Sequence, residues 1–183
     1  MNPMKRILSA ALALLLALLM IPALVSCSKK GEYDPPTGWQ AASDEKADFW
    51  FYVPDSWTVD YSTGAAGAYF SAADPSSVSV MAWELPNTDT SLDDWWEMNR
   101  EEVEKVFSNF NLESEENLTL TRDNLYAKKF VYTAELGGYG YRYMQVAALK
   151  GTSVYLFTYA SVEENYEKHL EDVDDMLGFL IIK

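Results

Sequence analysis

The sequence predicts an α+β fold in which an antiparallel sheet of about six strands is covered by helices on both faces. Two segments, residues 49–53 and 154–159, are apolar at nearly every position. Successive side chains of a strand point to opposite faces, so a strand with water on one side would alternate with polar residues. Both segments therefore require cover on two sides. Two amphipathic helical patterns, near residues 91–107 and 161–177, can provide it.

Short strands are predicted in the first half of the chain. Residues 49–53 (FWFYV) form the first strand, which ends at the turn residues Pro54-Asp55-Ser56. Residues 57–61, 68–71 and 78–85 follow as further strands. Gly64 to Gly67 form one loop and Asp74-Pro75-Ser76 form another.

The first helix is predicted to begin at Thr90-Ser91 and to end near Phe107. Ser91 and Asp94 have the spacing of a capping box, which satisfies free backbone N–H groups at a helix start. Asn99 lies inside the apolar stripe and needs a hydrogen-bond partner if it is buried. The stripe at helical spacing consists of Leu92, Trp96, Val103, Val106, Phe107 and Phe110, with Trp95 at its edge.

Three long strands form the centre of the prediction, at residues 125–136, 139–150 and 153–161. Gly137-Gly138 and Gly151-Thr152 separate them and fit hairpin turns, so the three strands form an antiparallel meander. Residues 109–117, between the first helix and this meander, are acidic and predict a weakly structured connection with a short strand at 112–114.

The C-terminal segment predicts a second helix and a last strand. Ser161 and Glu164 have the spacing of another capping box, and Gly178 is expected to end the helix. Residues 179–182 form the final strand. The predicted buried stripe of this helix consists of Tyr166, Leu170, Val173 and Leu177.

The N-terminus resembles the signal of bacterial lipoproteins. Lys5 and Arg6 precede an apolar run over residues 7–25, which ends in Leu24-Val25-Ser26-Cys27. The resemblance implies a diacylglyceryl group on the Cys27 sulfur, cleavage before that residue, and a lipid-anchored protein on the extracytoplasmic face of the cell membrane. An uncleaved transmembrane helix is the alternative, since 19 apolar positions can span a bilayer core of about 30 Å. A further alternative is that Cys27 is an ordinary thiol.

Domain organisation follows from this signal. Residues 1–26 are the predicted signal peptide, residues 27–37 the lipidated cysteine with a polar, proline-containing tether, and residues 38–183 a single globular domain. Because Cys27 is the one cysteine of the chain, no intrachain disulfide can form.

Charge excludes one class of partner. All 28 acidic residues follow Cys27, together with 12 of the 14 basic residues, which gives this part of the chain a net charge of −16. Such a surface repels phosphate backbones, so nucleic-acid binding is not expected. Solubility is one explanation of the charge, and a cationic partner is another.

The order of these elements resembles the PsbP-like fold, which photosystem II extrinsic PsbP shares with the Ran-binding factor Mog. The residues that carry the likeness are 49–57 (FWFYVPDSW), 154–161 (VYLFTYAS) and the tail, in which 166–177 precedes Phe179-Leu180-Ile181. Together they span residues 39–183. The resemblance implies an antiparallel sheet covered by helices and a binding role, without a catalytic motif.

Reactive side chains give no enzymatic signature. His169 is the single histidine, and the serine-hydrolase motif G-x-S-x-G is absent. One histidine and one cysteine cannot supply the usual zinc ligands. Two acidic clusters, at 113–116 and 171–175, lack the spacing of a calcium loop. No catalytic residue, metal or cofactor is therefore predicted.

Function is predicted only in outline. We expect an anchored, non-enzymatic binding or assembly module for an envelope protein, with Trp95, Met98 and Tyr139 as candidate partner contacts because these side chains are expected to be exposed. Two alternatives stay open. One is a small extracytoplasmic hydrolase that uses surface carboxylates. The other is a weak calcium or small-ligand binding protein.

Overall fold

The main element of the computed structural model is a seven-stranded antiparallel sheet. The structure describes residues 33–62, 65–85, 89–120 and 124–183. The strands are β1 (Trp39–Ala41), β2 (Phe49–Trp50), β3 (Tyr52–Pro54), β4 (Thr58–Val59), β5 (Ala66–Tyr69), β6 (Ser77–Glu84), β7 (Ser108–Leu120), β8 (Leu125–Leu136), β9 (Tyr139–Lys150), β10 (Ser153–Ser161) and β11 (Ile181–Ile182). The helices are α1 (Leu92–Val106), α2 (Glu163–Tyr166) and α3 (Leu170–Phe179), with a 3-10 turn, Glu167–His169, between the last two. The order in the sheet is β4-β5-β6-β10-β9-β8-β7.

The central meander has the bounds that the sequence predicts. β8, β9 and β10 pair antiparallel in consecutive order. Gly137 and Gly138 both have positive φ, at 62° and 85°, and Gly151 has a φ of 64°. Two successive positive φ angles are typical of the tight turn whose twist matches that of a hairpin. Glycine takes them without steric cost.

The acidic connection predicted at residues 109–117 is instead part of β7, a 13-residue strand at the edge of the sheet. Its carboxylates pair with cations from other elements. Glu113 lies 2.8 Å from Nε of Arg142, Glu115 lies 2.6 Å from Nζ of Lys128, and Glu116 lies 2.9 Å from Nζ of Lys129. Long-range pairing therefore overrides the local signal of a charge run.

Two apolar cores lie on opposite faces of the sheet. Neighbouring residues of β10 alternate between them: Val154 and Leu156 belong to one core, and Tyr155 and Phe157 to the other. Trp95, Trp96 and Val103 of α1 lie in the first core. The second core receives Tyr166 and Val173 from the C-terminal helical segment, together with the aromatic segment near residue 51.

The aromatic segment predicted as one strand is divided into β2 and β3, which lie outside the main sheet. β3 pairs with β1, and β2 pairs with β11. Phe49 and Phe51 contact Tyr155 and Phe157 edge-to-face, with ring centroids 6.3 and 5.9 Å apart. These short strands thus pack against the second core. Residues 49–53 are apolar at every position because they form a layer that packs over the sheet. They are not a strand within the main sheet.

Helix α1 begins as predicted, because the Ser91 hydroxyl and the Asp94 carboxylate form a capping box. Its predicted stripe is wrong at Val106, which is exposed. The C-terminal helices differ more. The Ser161 hydroxyl hydrogen-bonds Ser76 instead of capping α2, and Gly178 lies within α3 instead of ending it.

The proposed lipoprotein signal and Cys27 lie outside the described residues. Within the described part of the chain, none of the helices is both long and apolar enough to cross a membrane. Tyr33, in the predicted tether, packs against the rings of Trp50 and Tyr52 and donates a hydrogen bond to the carbonyl oxygen of Ser43.

Candidate functional site

Helix α1 covers only part of its face of the sheet. The helix contacts β7, β8 and β9, whereas β6 lies beyond β10. Val78 and Val80 of β6 point into the second core, so Met81 and Trp83 point to the face that carries α1. These two side chains are 51% and 36% exposed. The expected two-sided cover is therefore incomplete at β6.

The side of α1 that borders this open face is apolar at three of four positions. Residues three or four apart lie on the same side of a helix, so Trp95, Met98, Glu102 and Val106 form one row. The ring of Trp95 lies 6.1 Å from that of Trp83, which places the first turn of this row beside β6. We name the surface that the exposed side chains of Met81 and Trp83 on β6 form with those of Met98 and Val106 on this row the α1 groove.

The predicted contact residues have different positions in the structure. Met98 is 53% exposed and bounds the α1 groove. Trp95 is only 3% exposed, because it belongs to the first core and its ring packs against that of Trp83. The expectation that Trp95 is exposed is therefore wrong. Tyr139 is 69% exposed at the turn between β8 and β9, away from the groove. Contact of Met98 and Tyr139 with a partner stays a prediction.

A polar chain lies beneath α1 next to the groove. Nδ2 of Asn99 lies 3.4 Å from Oε1 of Gln145, and Nε2 of Gln145 lies 3.4 Å from Oγ1 of Thr158 on β10. Asn99 thus has the partner that its place in the stripe requires. Because these polar groups are paired with one another, the inner wall of the groove does not carry unsatisfied amides.

Strand β5 forms the far side of the open face. A cavity of about 280 Å³ lies there, with a lining that includes Gly67, Tyr69, Ser77, Ser79 and Met81. A Cβ at Gly67 would lie 3.0 Å from the carbonyl oxygen of Val78. Glycine at position 67 therefore lets the backbones of β5 and β6 approach closely. It also adds no side chain to this surface.

His169 does not form a catalytic triad. Its Nε2 atom lies 2.9 Å from Oδ2 of Asp74, and the Ser76 hydroxyl donates to Oδ1 of the same carboxylate over 2.6 Å. In a serine hydrolase the histidine lies between serine and aspartate. Here the aspartate is in the middle, so His169 is not placed to accept the Ser76 proton.

The surroundings of this pair are those of a packed core. The His169 ring is buried against Phe70 and Trp57, at centroid distances of 4.3 and 5.4 Å. Burial alone would raise the pKa of Asp74, but hydrogen bonds from His169 and Ser76 outweigh it and lower the pKa to about 2. The carboxylate therefore stays ionised and serves as a hydrogen-bond acceptor.

The acidic clusters do not converge on a metal. The acids of β7 pair with cations, and Asp172 accepts a hydrogen bond from Nε1 of Trp57 over 2.9 Å. Within residues 33–62, 65–85, 89–120 and 124–183, no group of three or more histidine, cysteine, aspartate or glutamate side chains could hold an ion.

Comparison with known proteins decides the fold. No protein-family model and no curated protein matches the chain. CyanoP, the cyanobacterial PsbP of Synechocystis, matches with a TM-score of 0.56 and 16% identity, over 87% of this chain and 99% of that one. The chain has a PsbP-like fold. The resemblance predicted from the sequence is thus confirmed at the level of fold.

Two other solved structures share the PsbP-like fold. LpqN, involved in cell envelope biogenesis of Mycobacterium tuberculosis, has a TM-score of 0.57 and 14% identity, over 79% of this chain and 90% of that one. PA94 of Pseudomonas aeruginosa, a protein of unknown function proposed to be a regulator, has a TM-score of 0.57 and 16% identity, over 79% and 97%. Their low identity transfers the fold alone.

Proposed function

We propose that this PsbP-like domain is a membrane-anchored, extracytoplasmic binding module that docks an envelope protein in the α1 groove and catalyses no reaction. The observation that carries the proposal is the distribution of exposed apolar side chains. Eight large hydrophobic residues are exposed in the described part of the chain, and four of them, Met81, Trp83, Met98 and Val106, bound this one groove. Contiguous apolar surface of this kind marks interaction sites, and tryptophan is enriched among residues that dominate binding energy.

An amphipathic helix is the partner element that fits. The distance from β4 across β5 to β6 is two strand spacings of roughly 4.8 Å, about 10 Å in all, and a helix with its side chains is about 10–12 Å wide. A second helix could therefore lie beside α1 on the same face. Ser77 and Ser79, which precede Met81 and Trp83 on the same face of β6, favour a reversible complex over a permanent one.

Charge sets the sign of the partner. Helix α1 contains six acidic and two basic residues, and Glu102 lies in the row that borders the groove. Opposite potentials accelerate association and select partners. The proposed partner helix is therefore basic along the edges of its apolar face.

The extracytoplasmic location is proposed from the lipoprotein-like signal that ends at Cys27. The role of LpqN in cell envelope biogenesis supports an envelope setting for a PsbP-like domain. A lipid anchor would hold the α1 groove close to membrane proteins and raise their effective concentration.

Site-specific photo-crosslinking tests the proposal. The full chain would be expressed in bacterial cells with a benzophenone amino acid at Met98 or, as a control, at Leu136, which is also apolar and exposed but lies at the turn between β8 and β9. We expect an adduct from position 98 whose crosslinked peptide, read by mass spectrometry, is a basic amphipathic helix.

Direct binding then separates docking from chance capture. The synthetic peptide should bind the purified full chain, and Trp83→Ala should weaken this binding at least tenfold in a variant that circular dichroism shows to be folded. Equal adducts from positions 98 and 136, or peptide binding that Trp83→Ala leaves intact, would overturn the proposal.

A further inference from the structure

A second cavity, of about 410 Å³, lies on the side of the sheet that carries Val80. Its lining comes from the loop before β2, from Tyr61 and from β5 and β6. This volume falls within the range of small-molecule sites, about 300–1,000 Å³. The residues that line it are Asp44, Ala47, Asp48, Phe49, Tyr61, Ala65, Ala66, Val80, Met81 and Ala82. We name it the Asp48 pocket.

The chemistry of the Asp48 pocket is divided in two. Phe49 and Val80, both buried, and several alanines give it an apolar lining. The charged residues of the lining are Asp44 and Asp48, and both are exposed. Apolar surface next to charge of one sign matches a ligand with an alkyl body and a cationic end.

Within the described residues, neither carboxylate is part of an ion pair. Oδ1 of Asp44 accepts a hydrogen bond from the backbone N–H of Lys46 over 2.7 Å. The ion pairs of the described residues include neither Asp44 nor Asp48. By contrast, the acids of β7 are each paired. A cation that enters this pocket would therefore not have to displace one from the protein.

The loop that carries these acids is held by hydrogen bonds from Lys183. Nζ of Lys183 donates to the carbonyl oxygens of Glu45 and Ala47 over 2.8 and 2.6 Å, and its backbone N–H donates to the carbonyl oxygen of Asp48 over 2.8 Å. The cation of Lys183 is thus engaged with backbone oxygens. A pre-formed loop lowers the entropic cost of ligand binding.

We propose that the Asp48 pocket binds a small amphiphile whose alkyl chain contacts Phe49 and Val80 and whose ammonium group pairs with Asp44 and Asp48. This site is separate from the α1 groove and does not depend on the proposed docking function. Met81 borders both the Asp48 pocket and the α1 groove, so a variant at Met81 would not distinguish the two sites.

Calorimetry on the detergent-solubilised full chain tests this proposal with three probes of equal chain length: hexylammonium, hexanol and hexanoate. We expect saturable binding of hexylammonium, weaker binding of hexanol and the weakest binding of hexanoate. Replacement of both acids in Asp44→Asn/Asp48→Asn should weaken hexylammonium binding at least about threefold, as expected for two exposed ion pairs. The matched control Asp55→Asn removes an exposed carboxylate from a turn outside the pocket and should have no effect.

A second variant tests location independently of charge. Ala82 lines the pocket and is exposed, so Ala82→Trp should fill the cavity while the core stays intact, and should abolish binding of hexylammonium. Trp83→Ala, which alters the α1 groove, should leave it unchanged. Equal binding of the three probes, or binding that persists in Ala82→Trp, would contradict the proposal whatever the outcome of the crosslinking experiment.

Discussion

The imidazole of His169 and the carboxylate of Asp74 are hydrogen-bonded across 95 residues of chain, with 2.9 Å between Nε2 and Oδ2. This bond joins the turn between β5 and β6 to the 3-10 segment before α3. The Ser76 hydroxyl, which also bonds Ser161 on β10, completes the cluster. The one histidine of the chain thus has a structural role at this edge of the second core.

Asp74→Asn should lower the free energy of unfolding at neutral pH. It should also make this free energy depend less on pH between pH 4 and pH 2. Because the pKa of Asp74 is about 2 in the folded protein and near 3.8 when unfolded, folding favours the ionised carboxylate. The resulting stabilisation, about 2 kcal/mol, is complete above pH 4 and disappears as the pH falls to 2. Urea unfolding at several pH values measures it.

The control for this experiment is Asp174→Asn, which removes an exposed carboxylate from α3. Its free energy of unfolding should lie within about 0.5 kcal/mol of the wild-type value at pH 7. If Asp74→Asn and the wild type lost stability in parallel between pH 4 and pH 2, the cluster would not have the proposed electrostatic role.

Trp96 should be the most sensitive position of α1. Its ring stacks on Phe130 at a centroid distance of 3.7 Å, and both side chains are buried. Trp96→Ala should lower the free energy of unfolding by about 3–5 kcal/mol, the usual cost of deleting a buried aromatic ring. Chemical denaturation gives this value directly, and Met98→Ala, at an exposed position of the same helix, is the control.

Trp96→Phe refines the same prediction. Nε1 of Trp96 is buried without a hydrogen-bond partner among the described residues. Phenylalanine keeps an aromatic ring over Phe130 and removes this unpaired N–H, which is costly to bury. Trp96→Phe should therefore be much closer to the wild type than to Trp96→Ala. Equal losses in the two variants would show that the stack with Phe130 contributes little.

Local signals predict the elements that local chemistry determines. The bounds of β8, β9 and β10 follow from glycine turns, and the start of α1 follows from Ser91 and Asp94, which are three residues apart. The sequence therefore predicts the antiparallel α+β fold class. It also identifies Met98 as an exposed side chain beside what proves to be the α1 groove.

Long-range contacts account for the features that sequence patterns miss. The acidic segment of β7 is predicted as a loop because the cations that pair with its acids lie on other strands. These cations are Arg142, Lys128 and Lys129, on β8 and β9. Trp95 is predicted to be exposed because the pattern of α1 alone does not include Trp83. The contact that covers Trp95 comes from a different element, β6. The Asp48 pocket combines three separate segments, so adjacent residues give no signal for it.

Lys128 provides a further prediction, because its side chain is only 8% exposed beneath α1. It donates to Asp93 and, over 2.6 Å, to Glu115, and these bonds raise the pKa of Lys128. Lys128→Met removes the buried charge and leaves both acids accessible to water. Since apolar residues often replace buried ions without loss, this variant should equal or exceed the wild type in stability.

Removal of the two acids should have the opposite effect. Asp93→Asn/Glu115→Gln leaves the Lys128 ammonium buried without a carboxylate and should cost about 1–3 kcal/mol at neutral pH. Because the folded pKa of Lys128 is raised, the difference from the wild type should persist up to about pH 10 and shrink above it. A larger loss in Lys128→Met than in the double variant would contradict this account.

Cys27 allows the proposed anchor to be tested separately from the fold. If the thiol carries a diacylglyceryl group, cells that express the wild-type chain should incorporate labelled fatty acid into it, and cells that express Cys27→Ala should not. The purified wild type should also have the mass of a chain that starts at residue 27 plus lipid, because cleavage in lipoproteins precedes the modified cysteine. Equal labelling of both chains, or a wild-type mass that includes residues 1–26, would instead support the uncleaved helix, since residues 7–25 are long enough to span a bilayer without any lipid.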